Sequence, residues 1–181
     1  MDRTDLHRHE LDQARRKIIL AHIEAEGQKD AQGTVDTFSD HPRYEIIPTG
    51  EIVQGGDKVF DFWQEIMAAF PDFTFDIHEM HFAERSVIVE STFRGTHLGT
   101  WQSIPPTGKT VAYRMCNVFV FDGTALLCER LNFDLLTVLT QLGLVSDVNA
   151  WQGKVSLFVS RPHVFLMGWI RQLMFMLGKH A

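Results

Sequence analysis

The sequence predicts an α+β domain. Three observations carry that prediction. Apolar residues recur at helical spacing as far as Pro71, the alternation then switches to a period of two, and an Asp122-Gly123 pair separates two strongly strand-like runs. Helices first and antiparallel strands after argue against a repeating βαβ order.

Taken in order, residues 1–10 are charged and read as a mobile arm. Over residues 11–26, Ala14, Ile18, Ile19 and Ile23 share one helical face, and Gly27 can end the helix. Residues 30–39 predict a short second helix with Val35 and Phe38 on one side. Residues 43–48 are strand-like, with a turn around Thr49. Gly55-Gly56 opens a third helix, whose apolar face is Val59, Phe60, Trp63, Ile66 and Met67. Pro71 stops it, because the residue before a proline disfavours helix. Phe73, Phe75 and Ile77 then alternate with Thr74, Asp76 and His78. Residues 86–94, 111–121 and 125–133 complete the strands.

Composition narrows the function. At 181 residues the chain suits one domain, and the net charge of −6 argues against nonspecific nucleic-acid binding, which needs clustered Lys and Arg. Cys116 and Cys128 lie in apolar strand-like segments and read as buried free thiols in a reducing compartment. The N-terminus lacks a secretory apolar stretch, so a cytoplasmic location is expected. Residues 155–177 come nearest to a membrane span, but Arg161, His163, Arg171 and Gln172 interrupt them, so no stable membrane insertion is expected. No metal or cofactor is expected. His78 and His81 point to opposite faces of a strand, Cys116 and Cys128 are twelve apart, and there is no phosphate-cradling glycine loop or nucleophile elbow.

One ordered set of motifs is specific. Ala69-Phe70-Pro71-Asp72 ends the third helix, followed by Gly95-Thr96-His97-Leu98-Gly99 and Ile104-Pro105-Pro106-Thr107-Gly108-Lys109. Then come the Asp122-Gly123 hairpin, Glu129 to Asp134, Leu135-Leu136 and Gln141-Leu142-Gly143. From residue 11 to 144 this set resembles the SnoaL-like polyketide cyclases (ester cyclases) of the nuclear-transport-factor-like superfamily. The resemblance implies a cone-shaped, curved antiparallel sheet wrapped around the N-terminal helices, with an enclosed pocket and a homodimer. It implies a cofactor-free acid/base enzyme that closes a ring by intramolecular aldol attack on a small apolar or aromatic carbonyl compound. Isomerases, hydrolases, dehydratases and non-catalytic binding modules share the superfamily, and a shared fold leaves these alternatives open.

Asp134 occupies the position at which the resembled cyclases carry their general acid/base. A carboxyl among apolar walls would have its pKa raised toward working pH; alternatively Asp134 simply caps the helix that follows. Alternation puts Arg130, Asn132 and Asp134 on one strand face, either converging on the pocket or forming a surface ion pair with Leu131 and Phe133 in the core. His97 could stabilise an enolate or relay a proton, or bond a loop carbonyl. Asn117, on a face with Tyr113, Met115 and Phe119, could orient a substrate carbonyl or be satisfied by backbone. Trp63, Trp101 and Tyr113 could wall a flat ligand or fill the core and rim.

Residues 145–181 form an apolar extension beyond the resemblance. Pro162 can start a helix whose Phe165, Leu166, Trp169, Ile170, Leu173, Phe175 and Met176 leave little polar surface. Packing in a homodimer is the first expectation for it and a lid over the pocket the second. A membrane surface ranks third, because few Lys or Arg accompany the apolar residues.

Overall fold

The first helix, α1 (Arg3–Gly27), buries a single stripe made of Arg15, Ile19, His22 and Glu26. These residues are three and four apart, so they stack along one helical face. The computed structural model describes residues 3–147, 150–160 and 162–178. In it α1 begins at Arg3, so the segment expected as a mobile arm is helical, although residues 5–10 remain exposed. Once the packed turns have nucleated the helix, each added residue gains a hydrogen bond cheaply, and Asp5 suits the positive N-terminal end.

Helix α2 (Ala31–Asp36) is capped by Asp30, whose Oδ1 accepts from the Gly33 amide at 2.8 Å. Strands β1 (Arg43–Ile46) and β2 (Glu51–Gln54) form a hairpin that turns at Gly50, where φ is 73°. Helix α3 (Gly56–Ala69) buries Val59 and Trp63. Strands β3 (Thr74–Phe82), β4 (Ser86–Thr96), β5 (Thr110–Asp122) and β6 (Ala125–Leu131) follow, and then α4 (Leu135–Gln141). The six strands form one curved, unclosed sheet in the order β2-β1-β6-β5-β4-β3. All neighbours are antiparallel except β1 and β6, which run parallel.

Register decides what faces inward. Tyr44 of β1 sits opposite Glu129 of β6, and Glu129 sits opposite Phe119 of β5. All three are buried. Because alternate side chains take opposite faces, this register turns Glu129, Leu131 and Phe133 inward and leaves Arg130 outside. There Arg130 Nε pairs with Glu45 at 2.9 Å. The expected convergence of Arg130, Asn132 and Asp134 on the pocket is therefore corrected: the other face of that segment looks in.

Two further contacts hold the scaffold. The buried Arg15 guanidinium donates to the carbonyls of Gly123 (2.8 Å), Ala83 (3.2 Å) and Glu84 (3.1 Å), clamping the β3–β4 turn and the β5–β6 hairpin to α1. The amides of Leu98 and Gly99 both donate to the Ala69 carbonyl, at 2.8 and 3.1 Å. A Cβ at position 99 would overlap the Ala68 carbonyl oxygen, so this approach of loop to helix requires glycine. Cys128 is buried, which pushes its thiol up to about 11. Cys116 is exposed, contrary to expectation, because it takes the outward face of β5 with Arg114.

Residues 143–181 form a second compact unit. It contains α5 (Trp151–Ser160), which the sequence did not announce, and α6 (Pro162–Gly178), which starts at the expected proline. Among the described residues no helix is long and apolar enough to cross a membrane.

Candidate functional site

Between the concave face of the sheet and helices α3 and α4 lies a cavity of about 190 Å³. Its walls are largely aromatic and aliphatic: Phe62, Trp63 and Ile66 from α3, Phe93 from β4, Tyr113 and Met115 from β5, and Leu135 and Val138 from α4. The volume lies below the roughly 300–1,000 Å³ usual for drug-sized ligands, so the ligand that fits is small. Besides Thr49 and Gln102, three polar side chains joined to one another interrupt the apolar surface: Glu26 from α1, Asn117 from β5 and Glu129 from β6.

These belong to a buried network centred on His22. The Thr37 hydroxyl donates to the Thr34 carbonyl at 2.6 Å, so its oxygen is left to accept from His22 Nδ1 at 2.5 Å. His22 Nε2 lies 2.9 Å from Glu26 Oε1, 3.0 Å from Glu129 Oε2 and 2.7 Å from the Tyr44 hydroxyl. Tyr44 also donates to Glu26 Oε1 at 3.1 Å, and Asn117 Nδ2 donates to Glu129 Oε1 at 2.8 Å. Each oxygen of Glu129 thus has a partner, while both bonds to Glu26 fall on the same oxygen.

Charge explains the arrangement. Burial disfavours the His22 imidazolium, but the charges and hydrogen bonds of Glu26 and Glu129 more than reverse this and push His22 up to about 10. Burial raises the Glu26 carboxyl above its ordinary range, against the pull of His22. Burial, reinforced by the two glutamates, raises Tyr44 well above its ordinary value and keeps it a donor. The protonated His22 ring therefore faces two glutamate side chains, and Glu26 and Glu129 border an apolar hollow.

The sequence-predicted residues divide. Trp63, Trp101, Tyr113 and Asn117 all line the cavity. Asn117 is spoken for by its bond to Glu129 and by the Asn132 amide, which donates to its Oδ1 at 3.3 Å. Trp63 Nε1 is buried and makes no hydrogen bond of good geometry, with Tyr44 as its polar neighbour. Asp134 does not line the cavity. It is exposed and caps α4, its Oδ1 accepting from the Thr137 amide at 3.2 Å and its Oδ2 from the Thr137 hydroxyl at 2.6 Å. Those bonds hold its carboxyl below the usual range, opposite to what burial would do. Asn132 donates to the Arg130 carbonyl at 3.3 Å, outside the hollow. His97 is buried and stacks on Phe70, with centroids 5.2 Å apart. Its Nδ1 accepts from the Thr107 amide at 3.2 Å, so it ties a loop and lies outside the cavity lining. Burial lowers its pKa, against the nearby Gly99 carbonyl.

Sequence reading missed His22, Glu26, Tyr44 and Glu129. One signal was present: His22 and Glu26 extend the helical stripe of Ile19, a polar pair on a face that must be buried. His22, Glu26 and Glu129 also bring one ligand atom each within 4.8 Å of one another, a set able to hold a metal ion, although none was expected from sequence. His22 Nε2 also lies within hydrogen-bond distance of both glutamates.

A curved sheet closed by helices over an apolar hollow, with carboxylates on its floor, is a fold of the nuclear-transport-factor and ketosteroid-isomerase type. A family model for SnoaL-like polyketide cyclase matches residues 19–142. The chain belongs to that family. No curated protein matches it. Among solved structures it is similar to IdmH from Streptomyces antibioticus, at 22% identity and a TM-score of 0.60 over 71% of this chain and 98% of that one. TsrD from Streptomyces laurentii is 16% identical, with a TM-score of 0.64 over 80% and 99%. A protein with a ketosteroid-isomerase-like fold from Catenulispora acidiphila, solved with trimethylamine, is 17% identical, with a TM-score of 0.61 over 70% and 92%.

Proposed function

We propose that this chain is a cofactor-free acid/base enzyme acting on a small carbonyl compound, with Glu26 as the base. The supporting observation is a buried carboxylate that borders the apolar cavity with only one of its two oxygens engaged. Family membership supports ring closure by aldol attack as the overall reaction.

The substrate enters the cavity and is oriented mainly by the aromatic walls. Glu26 removes a carbon-bound proton next to a carbonyl group. Accepting it relieves the surplus negative charge of the His22–Glu26–Glu129 cluster, so burial favours the transfer. In this reading the Trp63 N–H, buried without a well-formed bond, donates to the enolate oxygen. The carbanion then attacks a second carbonyl carbon of the same molecule, and the alkoxide takes a proton from Glu26. His22 and Tyr44 position the base directly, and Glu129, itself held by Asn117, positions His22. Asp134 acts in this reading as the cap of α4, which carries Leu135 and Val138 along the wall.

The test compares Glu26→Gln with Asp134→Asn. The readout is proton-to-deuterium exchange at the acidic carbon of a small cyclic β-keto ester, followed by proton NMR in deuterium oxide. Glu26→Gln lowers the enzyme-dependent rate by at least roughly a hundredfold while the ester still binds; Asp134→Asn leaves most of it. The reverse ranking would restore Asp134 as the base. Binding of the ester without exchange in the unsubstituted protein would make the chain a ligand-binding module.

A further inference from the structure

We propose that the C-terminal unit docks on the surface of an anionic lipid bilayer. This rests on observations separate from the cavity. The family match ends at residue 142, so the unit lies outside the part of the chain that the family explains.

Charge is the first argument. All 23 Asp and Glu lie at or before Asp147, while four of the 17 Lys and Arg follow it: Lys154, Arg161, Arg171 and Lys179. The first 147 residues, with 13 basic against 23 acidic side chains, carry a net −10, and the remainder carries +4. Counting Lys and Arg alone understates the polarity of this segment, because no acid offsets them. Basic residues beside apolar ones are drawn to anionic headgroups.

Exposure is the second argument. In α6, Val164, Leu166, Met167, Trp169, Ile170, Leu173, Met174, Phe175 and Met176 are all exposed, with Trp169 at 60% and Leu173 at 58%. At 100° per residue these positions spread over most of the circumference, leaving a sector around Gly168 and Gln172. Trp151, Val155 and Val159 of α5 are exposed as well. A seam between two protein helices needs one apolar stripe with a polar back. A helix apolar over so much of its circumference suits an apolar medium better than a single seam. Pairing with the same unit of a second copy would also set basic residues against basic residues with no acid between them.

Length is the third argument. The 17 residues of α6 span about 26 Å, short of the ~30 Å hydrocarbon thickness. The helix therefore lies in one leaflet, its backbone groups satisfied internally. Trp169 matches the interfacial preference of tryptophan, and the stems of Lys154 and Arg171 can reach the headgroups.

The experiment is vesicle flotation of the full-length protein, with sedimentation velocity of the lipid-free protein alongside. Vesicles of phosphatidylcholine with about 30 mol% phosphatidylglycerol are expected to carry the protein at least about tenfold more strongly than pure phosphatidylcholine, with the difference falling at high salt. Trp169→Glu with Leu173→Glu abolishes flotation and leaves ligand binding in the cavity unchanged. Lys154→Glu with Arg171→Glu removes the preference for anionic vesicles. Failure to float with either vesicle overturns the proposal, and equal flotation with both overturns its anionic part. A lipid-independent dimer that the Trp169→Glu, Leu173→Glu pair dissociates, without vesicle binding, would reassign the face to a second copy of the chain.

Discussion

The buried His22 makes alkaline pH a probe of the site. Its pKa rises from the ordinary 6.5 to about 10 in the folded protein. A group whose folded pKa is raised contributes stability that is fully present below the unfolded value and lost as pH climbs through the folded one. The window is therefore pH 6.5 to 10. For this group alone, linkage gives a loss on the order of 2–3 kcal/mol between pH 7 and pH 9, or roughly 5–10 °C in Tm for a domain of this size. Glu26, also raised, acts in the same direction. Thermal unfolding followed by circular dichroism across pH 6–10 reads the slope. In His22→Asn the slope over this window flattens, and overall stability falls by about 3 kcal/mol or more because two buried carboxylates lose their counter-charge. A parent protein whose Tm is constant from pH 7 to 9 would refute the charged cluster, and with it the argument for Glu26 as base.

Two predictions concern the scaffold. Arg15→Met keeps the apolar stem but leaves three carbonyls without their donor. Tm should fall by roughly 6–12 °C for a loss of about 3 kcal/mol, with faster amide exchange at the β3–β4 and β5–β6 turns; a change within about 2 °C would show the clamp to be dispensable. Gly99→Ala should cost about 2 kcal/mol or more, because its Cβ meets the Ala68 backbone. Gly108→Ala is the comparison: it has open space and only a positive φ of 69°, and should cost about 1 kcal/mol in urea unfolding. Equal losses at the two positions would contradict the packing described for position 99.

The sequence by itself determined the α+β class, the order of helices α1 to α3, the run of strands from Thr74 onward, the family, and the grouping of Tyr113, Met115 and Asn117 on one face of β5. Each follows from a local period or a local turn such as Asp122-Gly123, and local signals survive in one dimension. It also offered both roles for Asp134 and for His97, cap or catalyst, tie or relay. Only the fold placed Asp134 on Thr137 and His97 on Thr107. The floor of the cavity was hidden for a different reason. His22, Glu26, Tyr44 and Glu129 lie as far as 107 residues apart in the chain. They meet because β1 pairs in parallel with β6, and because that register, rather than the polarity of Arg130 and Asn132, chooses which face of β6 looks inward. A strand has two faces, and a shift of one residue exchanges them. No property of the strand alone fixes that choice; the neighbouring strands and the buried stripe of α1 do.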